Sequence, residues 1–112
     1  MSERGFIPLG VLEEQIIVAV LRAREEAYGM GVRREIEQAT GRELAIGAVY
    51  ATLDRLEAKG LLTSSRAHGD SSSRRIFTVS RAGARVLAET HAMRERLWRG
   101  VDLRALTALA RA

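Results

Sequence analysis

The stretch Ile46-Gly47-Ala48-Val49-Tyr50-Ala51-Thr52-Leu53-Asp54-Arg55-Leu56-Glu57-Ala58-Lys59-Gly60, followed by Leu61-Leu62, decides the fold. Ile46, Val49, Leu53 and Leu56 recur at spacings of three and four, which puts them on one face of a helix running from about Ile46 to Lys59. Gly60 closes that helix, as glycine commonly does just past a helix end. Upstream, a shorter helical segment reaches about Thr40 with Val32, Ile36 and Ala39 as its inner face. Tyr28-Gly29-Met30-Gly31 interrupts the pattern before it, and Gly41 ends it. Two short helices joined by a tight glycine-containing connection have the spacing of a helix-turn-helix unit.

Working outward, residues 9–25 read as a first helix, with Leu9, Leu12, Ile16, Val20 and Ala23 on one stripe and Ile17 and Leu21 widening it. Downstream the period changes. Arg75-Ile76-Phe77-Thr78-Val79 is rich in β-branched and aromatic residues and reads as a strand, with Leu62-Thr63-Ser64-Ser65 as its partner. The polar run His68-Gly69-Asp70-Ser71-Ser72-Ser73 between them makes the long, mobile tip of a hairpin. Ser80 is a good N-cap for a final helix carrying Val86, Leu87, Met93, Leu97, Trp98 and Val101, which Gly100 weakens or bends. A last segment, Leu103 to Ala110, has Leu103, Leu106 and Ala110 on one side. The fold class expected is mainly α: a winged helix-turn-helix with a three-helix core and a two-stranded β wing over residues 1–80, then a C-terminal helical dimerisation arm over residues 81–112.

A chain of 112 residues with 46% hydrophobic residues sustains one core, and with aromatics at 4% that core is built from Leu, Ile, Val and Ala. The absence of cysteine excludes disulfides and thiolate metal sites and fits a reducing cytoplasm. No apolar run approaches the roughly 20 residues needed to span a bilayer, and Met1-Ser2-Glu3-Arg4-Gly5 lacks the order of a secretory signal. A soluble, cytoplasmic protein without membrane contact is expected. The net charge is +4, and residues 66–85 alone hold five arginines (Arg66, Arg74, Arg75, Arg81, Arg85) against Asp70. That local excess equals the charge of the whole chain and favours a polyanionic partner over a merely solvated loop.

Catalysis finds little support. The histidines are His68 and His91. His68-Gly69-Asp70-Ser71 contains the residue types of a hydrolytic triad, but a flexible loop does not hold them at fixed geometry. No metal-ligand spacing and no phosphate loop occurs. No enzyme activity, metal or cofactor is expected.

Three stretches in order resemble the PadR family of bacterial transcriptional regulators across nearly the full length. Tyr28-Gly29 opens the second helix. Gly47 to Leu61 is similar to the family's recognition helix, a Gly-x-x-Tyr-x-x-Leu-x-x-Leu pattern ending in Gly. Arg74-Arg75-Ile76-Phe77-Thr78-Val79-Ser80-Arg81-Ala82-Gly83 is similar to the second wing strand running into the last helix. The chain departs from the pattern at Ala45 and Ala48, where Ser and Thr are common, and at Phe77 and Ser80-Arg81, where a Tyr and a Thr-Pro pair are common. The short C-terminal part resembles the compact subgroup with a single dimerising arm. The resemblance implies a transcriptional regulator, usually a repressor, that binds double-stranded DNA at an inverted repeat as a homodimer.

On a helical wheel Gly47, Ala48, Ala51 and Arg55 face outward from the third helix, with Tyr50 and Thr52 at the borders. Small residues there let the backbone sit deep in a major groove, although Ala is also simply a good helix former on a solvent face. Arg55 is the candidate base reader, since a guanidinium bonds guanine at two points; the alternative is a surface ion pair with its neighbours Asp54 or Glu57, although residues one or two apart on a helix do not face each other. Tyr50 and Thr52 are candidates for phosphate contacts through their hydroxyls, Tyr50 being equally suited to half-buried packing. Arg55 and Lys59 offset Asp54 and Glu57, so the helix is neutral and attraction falls to Arg74 and Arg75, helped by Arg66. Arg33, Arg34 and Tyr28 at the start of the second helix add phosphate contacts. Val86, Met93, Leu97, Trp98 and Val101 offer the pairing surface, the alternative being that this helix folds back on its own core. Trp98 also offers a face to a flat aromatic effector, which some members of the family bind near the dimer interface, or serves as a packing anchor. A protein-interaction module without specific DNA binding is the competing reading.

Overall fold

The computed structural model describes residues 7–66 and 74–112. The elements are α1 (Val11–Ala23) with a 3-10 turn over Arg24–Glu26, α2 (Gly29–Thr40), α3 (Ile46–Ala58), β1 (Leu62–Arg66), β2 (Arg75–Val79), α4 (Arg81–Trp98) and α5 (Leu103–Arg111). This is the mainly helical winged architecture expected. The hairpin tip, with His68, Asp70 and Ser71, and the first six residues lie outside the described residues.

Three helices enclose the core. Ile16, Ile17 and Val20 of α1 meet Val32 and Ile36 of α2 and Val49, Leu53 and Leu56 of α3. Leu61, Leu62 and Phe77 close it from the wing. Burying a side chain of this size stabilises the fold by about 1.5–3 kcal/mol, so the apolar stripes account for why these segments are helices. Two positions differ from the sequence expectation. Leu21 and Ala39 are exposed, because α1 and α2 pack over a narrower stripe than their apolar residues span. Val11, Val18 and Leu21 thus form an outward apolar face on α1.

The start of α2 also differs. Gly29, Met30 and Gly31 are helical rather than an interruption. A Cβ at Gly31 would overlap the Glu26 carbonyl, and one at Gly29 would overlap the Tyr50 ring. The glycines serve close approach, not helix breaking. At the other end Gly41 takes the left-handed conformation (φ 73°) and its N–H reaches the Glu37 carbonyl at 2.8 Å, the cap expected of it. The Glu37 carboxylate accepts from the Leu44 N–H at 3.3 Å, tying α2 to the turn before α3.

The wing is a two-stranded antiparallel sheet in register from Leu62 opposite Val79 to Arg66 opposite Arg75. The Phe77 N–H donates to the Ala27 carbonyl at 2.8 Å, which ties the wing to the connection between α1 and α2. Ser80 caps α4 as expected: its Oγ accepts from the Gly83 N–H at 3.0 Å and donates to the Gly60 carbonyl at 2.7 Å. Higher on α4, buried Thr90 accepts from the Leu9 N–H at 3.1 Å, and Arg94 pairs with Glu14. Gly100 (φ 89°) does more than bend a helix: α4 ends at Trp98, and α5 starts afresh with Asp102 as its cap.

The radius of gyration is 16.5 Å, against about 13 Å for a compact domain of this length. α5 contains no buried residue. Among the described residues no helix is long and apolar enough to cross a membrane.

Candidate nucleic-acid interface

α3 presents its small face outward. Gly47, Ala48 and Ala51 are exposed, and a Cβ added to Gly47 would meet nothing within 4 Å. Ala45 precedes the helix in an extended conformation and supplies no side-chain cap, so the first N–H groups of α3 face away from any capping hydroxyl. The inward positions Val49, Leu53 and Leu56 are fully buried, which fixes the helix while leaving its outer face clear.

The border residues fall differently from the helical-wheel expectation. Tyr50 is 43% exposed, with its ring laid across Gly29 at the start of α2. It therefore combines the two roles open to it, packing with its ring while half of its surface stays accessible. Thr52 is 1% exposed, not at the border, and its Oγ1 accepts from Arg55 Nη2 at 3.3 Å. A hydroxyl so placed does not reach a phosphate in this arrangement. It orients Arg55 instead.

Arg55 is half-exposed, and its Nε lies 3.6 Å from Glu13 Oε2 on α1. Its carboxylate partner is thus Glu13, not a neighbour on its own helix. Glu13 also receives Lys59 Nζ at 2.8 Å and the Gly10 N–H at 3.2 Å. The hydrogen bond from Lys59, together with those charges, holds the Glu13 carboxyl below its ordinary pKa against the opposing effect of burial. Of the two cations at Glu13, Arg55 makes the longer contact and Lys59 the shorter.

The two wing arginines part company. The Arg74 guanidinium lies over the Tyr28 ring, 4.2 Å from its centroid, and Arg74 is exposed with no carboxylate partner among the described residues. Arg75 points the other way. Its Nη2 lies 2.7 Å from Glu57 Oε1 and 3.0 Å from Asp54 Oδ1, both on α3, and its guanidinium carbon stands 4.8 Å over the Phe77 ring. Burial lowers the Arg75 pKa, but the hydrogen bonds and charges of Asp54 and Glu57 outweigh it and raise the value. Arg66 sits opposite Arg75 at the exposed end of β1. At α2, Arg33 pairs with Glu37 at 3.0 Å, while Arg34 is exposed without an ion pair among the described residues. Tyr28, Gly29, Tyr50 and Arg74 thus join the start of α2, the outer face of α3 and the wing.

Sequence reasoning did not find Glu13 as the partner of Arg55 and Lys59, nor Asp54 and Glu57 as the partners of Arg75. The signal available was the i, i+3 spacing of Asp54 and Glu57, which places both on one face of α3.

The arm separates into two parts. Val86 is half-buried against the chain's own core, and Met93 is half-buried. Beyond them Leu97 (73% exposed), Trp98, Val101, Leu103, Leu106 and Leu109 are all exposed apolar side chains. A cleft of about 270 Å³ between α1 and α2 is lined by Val11, Val18, Ala19, Ile36 and Ala39, with the Arg94–Glu14 pair at its edge; Trp98 is not among its lining residues. Among the described residues no cluster of His, Asp and Glu fit to hold a metal occurs, and His91 pairs with Glu95 one helical turn on.

Residues 17–89 match the sequence profile of the Transcriptional regulator PadR-like family. "Transcriptional regulator Rv3488" of Mycobacterium tuberculosis is 35% identical over 79 residues, covering 70% of this chain and 73% of that protein. The crystal structure of a PadR family transcriptional regulator from Eggerthella lenta superposes with a TM-score of 0.64 at 30% identity, covering 81% of this chain and 84% of the other. F93 from STIV, described as a winged-helix DNA-binding protein, shares the fold at a TM-score of 0.63 and 17% identity over 82% of this chain and 97% of its own. With a profile match spanning both the helix-turn-helix and the wing, the chain belongs to the PadR-like family of transcriptional regulators, proteins that control transcription rather than catalyse a reaction.

Proposed function

We propose that the protein is a cytoplasmic, sequence-specific DNA-binding repressor that grips an inverted-repeat operator as a homodimer. The observation that carries this reading is the outer face of α3, where Gly47, Ala48 and Ala51 leave the helix backbone open to solvent beside Tyr50 and Arg55. In a major groove that bare face permits close approach, and Arg55 reads a base once it leaves Glu13. Arg74, Tyr28 and Arg34, with Arg66 at the wing edge, set affinity and register through phosphates. Arg33 adds to them only by giving up Glu37.

The arm supports pairing. A nine-residue helix in water is marginal by itself, so the apolar face of α5 calls for a partner surface. Leu97 and Trp98 at the end of α4 and Val101 in the connection to α5 are exposed as well, with Met93 and Val86 nearer the core. The division into a DNA-binding unit over 1–80 and a pairing arm over 81–112 follows from this assignment. An aromatic effector stacking on Trp98 would be detected by quenching of its fluorescence on titration.

Filter binding at low and moderate salt, using duplex DNA from upstream of the gene and a scrambled duplex of equal length, tests the reading. Retention of the upstream duplex at a salt that releases the scrambled one is expected. Failure to retain either duplex at either salt would favour an interaction module, which the near-neutral α3 would also suit.

A further inference from the structure

We propose that Arg75, Asp54, Glu57 and Ser64 form a clamp that sets the angle of the wing against α3, making Arg75 a positioning residue rather than a phosphate ligand. The inference rests on the reading that α3 and the wing meet DNA together. Asp54 and Glu57 stand three residues apart on one face of α3 and converge on the same nitrogen, Arg75 Nη2, at 3.0 and 2.7 Å. The second oxygen of Glu57 accepts from the Ser64 hydroxyl at 2.7 Å. Ser64 lies on β1 and Arg75 on β2, so one carboxylate of the recognition helix holds both strands of the wing. The buried Phe77 ring, opposite Ser64 in register, supports the guanidinium from beneath.

Charge decides what this cluster does not do. Two carboxylates against one guanidinium leave a net of −1, so a phosphate approaching Arg75 meets repulsion from both acids. Strand alternation turns the adjacent Arg74 to the opposite side, over Tyr28 and into solvent. One arginine of the pair orients the wing and the other is left to bind.

A double variant, Asp54→Asn with Glu57→Gln, separates the alternatives because they predict opposite signs. It removes two negative charges beside the DNA face without changing side-chain size. If these acids act only through their charge, affinity for the upstream duplex rises. If they clamp the wing, affinity falls, by about tenfold, in spite of the gain in attraction. The reciprocal variant Glu57→Arg with Arg75→Glu, made in an Asp54→Asn background so that no second carboxylate faces the new one, rebuilds the pair in reverse and is expected to recover binding to within a few fold of the parent. Were Arg75 a phosphate ligand, that exchange would place a carboxylate at the phosphate and binding would stay lost, overturning the proposal.

Amide hydrogen exchange on the DNA-free chain completes the test. The double variant is expected to speed exchange at Ser65, Ile76 and Phe77 by about tenfold while Ile16 and Val20 stay unchanged. Unaltered wing exchange would overturn the clamp whatever the binding result. A parent chain that retains no DNA refutes the proposed function alone, since the exchange measurement then decides the clamp without it.

Discussion

Arg74→Ala isolates the outward charge of the wing. The guanidinium stacks on Tyr28 and has no carboxylate partner among the described residues, so its charge is available to a phosphate. Each phosphate neutralised on duplex DNA contributes about 0.9 to the slope of log affinity against log salt. One contact per protomer in a dimer therefore contributes about 1.8. Between about 50 and 200 mM salt the parent should lose ~12-fold more affinity than the variant, since a fourfold change in salt is raised to that power. Filter binding across that range, with upstream and scrambled duplexes in parallel, reads the slope directly. Because phosphate contacts carry no sequence information, both duplexes should flatten alike. An unchanged slope, or a loss confined to the upstream duplex, would refute the assignment of Arg74 as a phosphate ligand.

Three further outcomes follow from the same geometry. Gly31→Ala drives a Cβ into the Glu26 backbone carbonyl, and overpacking of this kind costs about 1–3 kcal/mol, to be seen as a lowered thermal midpoint with DNA absent; an unchanged midpoint would show that the turn before α2 gives way freely. Glu13 ionises more readily in the folded chain than in the unfolded one, so its contribution is fully present above its ordinary value near 4.5 and disappears as pH falls through the lower folded value. Denaturant titrations between pH 5 and pH 3, at values about a unit apart, should thus show a steeper loss of stability for the parent than for Glu13→Gln, and parallel profiles would contradict this. Leu106→Glu buries a charge in the proposed pairing face and should yield monomers in sedimentation at roughly micromolar concentration, whereas a persisting dimer would remove α5 from the interface.

The elements were legible where side-chain period alone dictates them. Ile46, Val49, Leu53 and Leu56 define α3, the β-branched run at Arg75–Val79 defines β2, and Ser80 announces α4 through its capping chemistry. Gly29 and Gly31 misled because a glycine that breaks a helix and one that admits a neighbour look alike in sequence; only the packing of Tyr50 and Glu26 tells them apart. Leu21 misled for a related reason, since an apolar residue on a helix shows that it can be buried, not that something covers it.

The site was less legible than the fold. Arg74 and Arg75 are identical in a sequence reading, yet the alternation of β2 sends one to Tyr28 and the other to Asp54 and Glu57. Thr52 sits one helical step inside the border on which its hydroxyl would have faced DNA. Both cases turn on tertiary partners many residues away. The cancelling charges of this segment did contain a clue: its acids Asp54 and Glu57 meet Arg75 from the wing, its cations Arg55 and Lys59 meet Glu13 from α1, and the net sum hides where each goes.

The measurement that tests the central claim most directly is a hydroxyl-radical footprint of the full chain on DNA upstream of its gene. Two α3 helices held by a paired arm should protect two segments on one face of the duplex, their centres about one helical turn apart (about 10–10.5 base pairs). Uniform cleavage at protein concentrations that saturate the dimer would contradict the account.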